Sequence, residues 1–437
     1  MRHGRTSELQ TSGGGAATGF LTSDARAGSK TSALAMTAGL FFAFRAIFVL
    51  VTAEWLHVGT EPGVLVSLSM SLFLLLATLL QGFGGAAQRI RWAWDVRCVR
   101  WVAIYLGFSG CSLLWTGSSS PGASALYWCA LTCDAAIVLV LFKGYEAQQA
   151  AHSLMKGFIR GACVLAAIAW VMPAAEDLRL GNLDYFNTNQ IGNLCALSIL
   201  LSSILSHRRD GESRFAVVFL TLTLFRSLSK STLVALIAAQ TYRLLRDGGM
   251  GRRKKLLLVL GVIVVTVLFW GLIDAYYVVY STSGNQAETL TGRTAIWAWA
   301  LDAAVSKPWI GNGIDAMWKV APPFGGELFE ARHAENEVLQ QFFAYGVAGI
   351  VMLAGIYGSL WREFRSVRDR SERTAKMALL VYVLVRGLAE AEPFDLLLPL
   401  WMIAMLALLV ERESSLESHV KGHAAAVYIG DVPGPAQ

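Results

Sequence analysis

Two stretches of the chain place ionisable and amide side chains at spacings that permit chemistry. The first reads TLTGRTAIWAWALDAAVSKPWIGNGIDAMW. Thr291 is placed to cap a helix that starts near Gly292, which puts Arg293 in its first turn. A cation is disfavoured there, because the N-terminus of a helix is already the positive end of its dipole. The placement makes sense where an anion binds, since free N–H groups and a guanidinium then converge on it. The alternative is a solvated arginine, or one paired with Asp302 or Glu288. The second stretch is FEARHAENEVLQQFFAYGVAG. His333, Asn336 and Glu337 fall at i, i+3 and i+4, the spacing of one helix face, with Glu335 off that face unless the helix begins after it. A histidine beside a carboxylate suits removal of a proton from a hydroxyl. The alternative for Glu335 and Glu337 is a helix start, where acids answer the dipole.

Further polar residues stand at the ends of apolar runs. LGNLDYFNTNQIGN supplies Arg179, Asn187, Asn189 and Gln190, FRSLSKST supplies Arg226 and Lys230, and VRGLAEAEPFD supplies Arg386, Glu390 and Glu392. Arg386 and Glu390 lie four apart and read as an internal salt bridge. Arg45 and Asp134, each inside an apolar run, form another expected pair, because a lone charge at the centre of a bilayer costs ~2.5–3.5 kcal/mol on insertion scales. Lys230 has no acid near it in sequence, which favours a functional role. Trp297, Trp299, Trp309 and Trp318 could stack on sugar rings, pack, or anchor at an interface. The chain has no GxxxxGK[ST], no HExxH and no DxD in this region, so work on phosphates would lean on Arg and Lys and not on a bound metal.

The elements that must position these residues are membrane helices. Of 437 residues, 55% are hydrophobic and only 16% charged, and the mean hydropathy is +0.49. Soluble proteins carry about 25% charged residues, so a cytosolic enzyme is excluded, and the apolar and aromatic content excludes disorder. Apolar runs lie near 33–52, 62–80, 99–116, 122–142, 157–173, 190–206, 214–228, 231–245, 255–273, 338–360, 376–390 and 394–411. They predict an all-α polytopic membrane protein of about twelve spans; their continuity excludes alternating barrel strands. Arg and Lys crowd the loops at 81–100, 143–160, 207–214, 243–255 and 361–376, while those at 53–61, 117–121 and 391–394 hold none. The positive-inside rule then puts both termini in the cytoplasm and the large loop 274–337 outside, after nine spans. Residues 1–32, without a cleavable signal pattern, and 412–437 read as cytoplasmic tails flanking a membrane domain at 33–411. The six cysteines show no CxxC pair and read as small apolar residues.

TLTGRTAIW, KPWIGNGIDAMW and HAENEVLQQFFAYGVAG, in that order and around one long outer loop, resemble the core of the bacterial O-antigen ligase and O-antigen polymerase superfamily. FNTNQIGN and SLSKST are similar to its weaker landmarks, and the likeness covers roughly 180–410. It implies a type-C glycosyltransferase-like fold with short helices in the outer loop. It also implies transfer of a glycan from an undecaprenyl-diphosphate carrier to a sugar hydroxyl, on lipid A-core or on a growing chain, at the outer face of the cytoplasmic membrane. The family's loop arginine maps onto Arg293, as a diphosphate ligand. Its second basic residue maps onto Lys230, with Arg226 nearby; lysine keeps the charge and loses the bidentate fork. The family's His-Asn slot reads Glu335-Asn336 here, so the base is His333 or Glu335. Asn336 and Gln340 would orient sugar or base, and Asn189 and Trp297 would contact substrate. The reaction needs no cofactor. Expected partners are the lipid-linked donor, a glycan or lipid A-core acceptor and the bilayer, with a chain-length regulator and a flippase as companions and no nucleic acid. The rival reading is a polysaccharide or lipid transporter, which should gather its polar residues at the midplane. No internal repeat supports it.

Overall fold

The structure is a computed structural model that describes residues 31–58, 61–81, 93–142, 147–172, 180–181, 187–206, 214–248, 251–268, 290–323 and 331–411. Most of the expected terminal tails, and Arg179, lie outside these residues. Among the described residues there are helices and no strands. Each of the twelve apolar runs falls on a helix. α1 is Thr31–Phe44, continued at a 43° bend by Ala46–Ala53. Then come α2 (Glu61–Gln81), α3 (Arg97–Ser112), α4 (Pro121–Leu141), α5 (Ala147–Val171), α6 (Thr188–Ser206), α7 (Arg214–Ser227), α8 (Lys230–Arg246) and α9 (Arg252–Leu268). α10 (Leu290–Ser306) lies in the large loop, and α11 (Glu337–Ser366), α12 (Arg370–Arg386) and α13 (Leu400–Glu411) follow.

Five helices are long and apolar enough to cross a membrane, or six if the bent pair of α1 is one span. The others are shorter: 17 residues in α8 and α12 rise about 25 Å against a hydrocarbon core of ~30 Å. Packing is tightest where side chains are smallest. A Cβ on Gly157 of α5 would strike the backbone of Met36 in α1, and one on Gly39 would strike Leu154 in return. These glycines let two backbones touch, which is how helices associate when lipid offers no hydrophobic drive. The expected Arg45–Asp134 ion pair forms, and Ser71 donates to Asp134 at 3.1 Å. A fully buried carboxylate is thereby neutralised and hydrogen-bonded, as burial demands.

The large loop builds a small core of its own. Ile296, Ala300 and Ala304 of α10 pack with Met317, Ala331, Ala334 and Phe343. The buried positions of α10 thus recur at i, i+4 and i+8, and Leu301 is turned outward. α11 is not one straight rod. Gly346 has φ +62, so the helix breaks there, and a Cβ on Gly349 would meet the carbonyl of Gln341 eight residues back. The loop Pro308–Gly313 fills the break. Val347 N–H donates to the Pro308 carbonyl at 2.7 Å and Ala348 N–H to Trp309 at 3.4 Å. Asn312 and Gly313 N–H groups donate to the Phe343 and Ala344 carbonyls at 3.0 and 2.8 Å. Irregular backbone at a membrane edge is tolerated where protein groups satisfy it in this way. The piece after the break, 347–366, is ~30 Å long. The run expected at 338–360 therefore joins a loop helix to a membrane helix.

Candidate functional site

α10 begins at Leu290, one residue ahead of the Thr291 expected to cap it, and Arg293 lies in its first turn. The Arg293 side chain is 20% exposed, and its guanidinium meets two carboxylates with one nitrogen. Nη2 is 3.3 Å from Glu335 Oε2 and 3.4 Å from Glu390 Oε1. Asp302, considered from sequence as a partner, is exposed on the far part of the helix; Glu288 lies outside the described residues. Both contacts use Nη2, so neither spends the Nη1 edge of the guanidinium fork.

The second stretch does not form the helix face expected of it. Asn336 is extended (φ −160) and caps α11, its side chain accepting from Leu339 N–H at 3.0 Å. Helical geometry starts only at Glu337, so His333, Asn336 and Glu337 never share a face. Asn336 Nδ2 also donates to the Leu388 carbonyl at 3.1 Å. Gln340 Oε1 accepts from Ala334 N–H at 2.9 Å. These two amides hold the loop in shape. Glu335 sits in the left-handed region (φ 51), at a typical cost of 1–2 kcal/mol for a residue with a side chain. That turn sends the carboxylate toward Arg293. His333 Nδ1 lies 3.7 Å from Glu335 Oε1 and accepts from Glu335 N–H at 3.3 Å. The proton of the neutral ring is then on Nε2. Burial holds the His333 pKa below the ordinary histidine value, Arg386 and Arg293 adding to the effect and Glu390 and Glu392 opposing it.

Glu390 ties this loop to the helix bundle. It lies in the turn after α12 and is almost wholly buried. Its Oε1 accepts from Asn189 Nδ2 and Ser231 Oγ, both at 2.9 Å, as well as meeting Arg293. The expected bridge to Arg386 is present but long, 3.9 Å from Nη2 to Oε2. Asn189 is itself fixed, its Oδ1 accepting from Ser229 Oγ at 2.8 Å. Lys230, the first residue of α8, is exposed beside Ser231, and Arg226 is half-buried at the end of α7. No acid neighbours Lys230 in sequence, yet the fold brings Glu390 to the next residue. Trp297 is half-buried on α10, its indole N–H buried and making no hydrogen bond to a described residue. The structure thus joins Arg293 to Asn189 through Glu390, and to His333 through Glu335. The sequence reading placed Glu390 only in a local helix pair, and Ser231 not at all.

Residues 215–354 match the family model of O-antigen ligase. The match covers about a third of the chain and supports a likeness to the O-antigen ligase and polymerase superfamily. The match takes in Arg226, Lys230, Arg293, His333, Glu335, Asn336 and Gln340, and leaves Asn189 and Glu390 outside. No curated protein matches the chain. The match, together with the long apolar helices, supports a membrane protein with a glycan-transferring function in polysaccharide assembly.

Proposed function

We propose that this O-antigen ligase relative moves a glycan from an undecaprenyl-diphosphate carrier to a sugar hydroxyl at the outer face of the cytoplasmic membrane. In this reading the twelve helical runs are twelve crossings, both termini are cytoplasmic and the loop 274–337 is outside. The observation that carries the reading is Arg293, held by one nitrogen between two carboxylates with the rest of its fork unspent on them. Such a guanidinium is oriented before a ligand arrives and suits the paired oxygens of a diphosphate. Lys230, with Arg226 behind it, adds positive charge from the α7–α8 turn.

The chemistry assigned to the chain's own groups is a displacement. The acceptor hydroxyl attacks the anomeric carbon, the bond from that carbon to the diphosphate oxygen breaks, and its electron pair leaves with the diphosphate. Arg293 and Lys230 neutralise the charge that develops on the leaving group. Glu335 accepts the hydroxyl proton, and His333, neutral with its proton on Nε2, donates to the acceptor sugar. Engagement of Arg293 by the diphosphate loosens its hold on Glu335 and makes that carboxylate a better base at the moment it is needed. Asn336 and Gln340 keep both loop residues in place, and Asn189 and Trp297 line the substrate side.

Glu335→Gln is expected to abolish transfer, whereas His333→Ala should reduce it and leave measurable turnover. Full turnover in Glu335→Gln would remove this carboxylate from the mechanism. A strain lacking the protein identifies the reaction by its surface glycans. Single repeats on lipid A-core mean that a polymerase was lost, and complete chains stranded on the carrier mean that a ligase was lost. Unchanged glycans would refute a role in their assembly.

A further inference from the structure

We infer that Glu390 is the positioning residue for Arg293, setting the direction in which its guanidinium fork faces the donor. The inference rests on the anion-binding role proposed for Arg293. Local geometry argues against a simple helix salt bridge. α12 ends at Arg386, so Glu390 is not on its helical face, and Arg386 is the most distant of the four groups around the carboxylate. The close donors are Asn189 of α6, Ser231 of α8 and Arg293 of α10, and all three meet the same oxygen, Oε1. One buried carboxylate oxygen therefore gathers three elements far apart in sequence.

The neighbours of Glu390 fix it in turn. Asn189 is held by Ser229, whose oxygen also lies 2.8 Å from the Thr232 hydroxyl, so the Asn189 amide is fixed against the first turn of α8. Ser231 follows Lys230 directly, so the carboxylate that holds Arg293 also holds the start of the helix bearing the second cation. Arg386 Nη2 donates to the Asn189 carbonyl at 3.4 Å from the other side. The oxygen facing Arg293 thus has little freedom. A guanidinium pinned by Nη2 to such an oxygen keeps its other edge pointed one way. Catalysis by fixed charges depends on orientation of this kind, and misplacement by about 1 Å can cost on the order of 100-fold.

The test uses the full chain reconstituted in vesicles, with a carrier-diphosphate glycan donor and a glycan acceptor. Glu390→Gln keeps an acceptor for Ser231 and removes the charge that orients Arg293. Its kcat/KM for the donor should fall by about 10- to 100-fold, with donor KM raised and acceptor KM unchanged. In an Arg293→Lys background, which retains charge without the fork, the same change should cost no more than about twofold, since the two residues act as one unit. Equal losses in both backgrounds, or a Glu390→Gln enzyme with wild-type donor kinetics, would overturn the inference. If Glu390→Gln does not accumulate, Glu390→Asp decides, because it keeps the charge and draws it back by one methylene. A several-fold loss in donor kcat/KM is expected there, and wild-type kinetics would again overturn it. Wild-type transfer by Arg293→Ala would instead sink the anion-binding reading, and this inference with it.

Discussion

His333 and Glu335 illustrate how backbone geometry assigns chemistry to side chains. The N–H of Glu335 occupies Nδ1 of His333, which leaves the imidazole a donor at Nε2, and on this ground the proposed mechanism gives the base role to the carboxylate. Burial keeps the ring neutral at neutral pH. The neutral form is the working one, so turnover should decline as pH falls below ordinary histidine values of about 6.5. Glu335, Glu390 and Glu392 are the acids around the ring, and Arg293 and Arg386 the bases. Glu392→Gln removes a charge that favours the imidazolium, so the acid limb of the kcat profile should move to lower pH. A shift to higher pH would contradict the assignment. Arg293 itself was legible as a candidate, because a cation in a first helical turn is out of place without an anion. Its partners were not legible. Glu335 reaches it through a left-handed turn that no spacing rule announces, and Glu390 arrives from nearly a hundred residues away.

At the level of elements, the break in α11 decides where the site sits. An unbroken helix from Glu337 to Ser366 would carry the His333–Asn336 loop away from α10. The bend at Gly346 lays the first part of α11 on α10, where Phe343 joins Ile296 and Ala300. The bend survives because Pro308–Gly313 supplies the hydrogen bonds that the helix gives up. Gly346→Ala would have to hold φ near +62 with its Cβ 2.5 Å from the Pro308 carbonyl oxygen. It should lower stability by about 1–3 kcal/mol, seen as a lower Tm of the detergent-solubilised protein. An unchanged Tm would mean that the splice does not hold the bend. The sequence showed apolar runs clearly, since each membrane helix announces itself by composition. The break was hidden, because a lone glycine in an apolar stretch looks the same whether the helix continues or turns. The helix-face reading of His333, Asn336 and Glu337 failed for a related reason: spacing cannot tell a face from a loop that ends in a cap.

At the scale of the whole molecule, several buried charges among the described residues are answered in simple pairs. Arg45 meets Asp134, and Lys376 meets Glu372 at 2.8 Å. At the start of α10, by contrast, Arg293, Glu335, Glu390, Arg386 and His333 gather from three parts of the chain, around the groups to which proton transfer and anion binding are assigned in the proposed function. A transporter would concentrate such groups between facing helices at the midplane; here they join a loop with its own small core to the ends of α6, α8 and α12. The superfamily match over 215–354 covers the loop half of that cluster and not the half contributed by Asn189 and Glu390. The most direct test of the account is a transfer assay with Arg293→Ala in vesicles, supplied with a carrier-diphosphate glycan and a glycan acceptor. The variant should accumulate in the membrane like the wild type and lose at least ~100-fold in kcat/KM for the donor. Transfer at the wild-type rate would contradict the account.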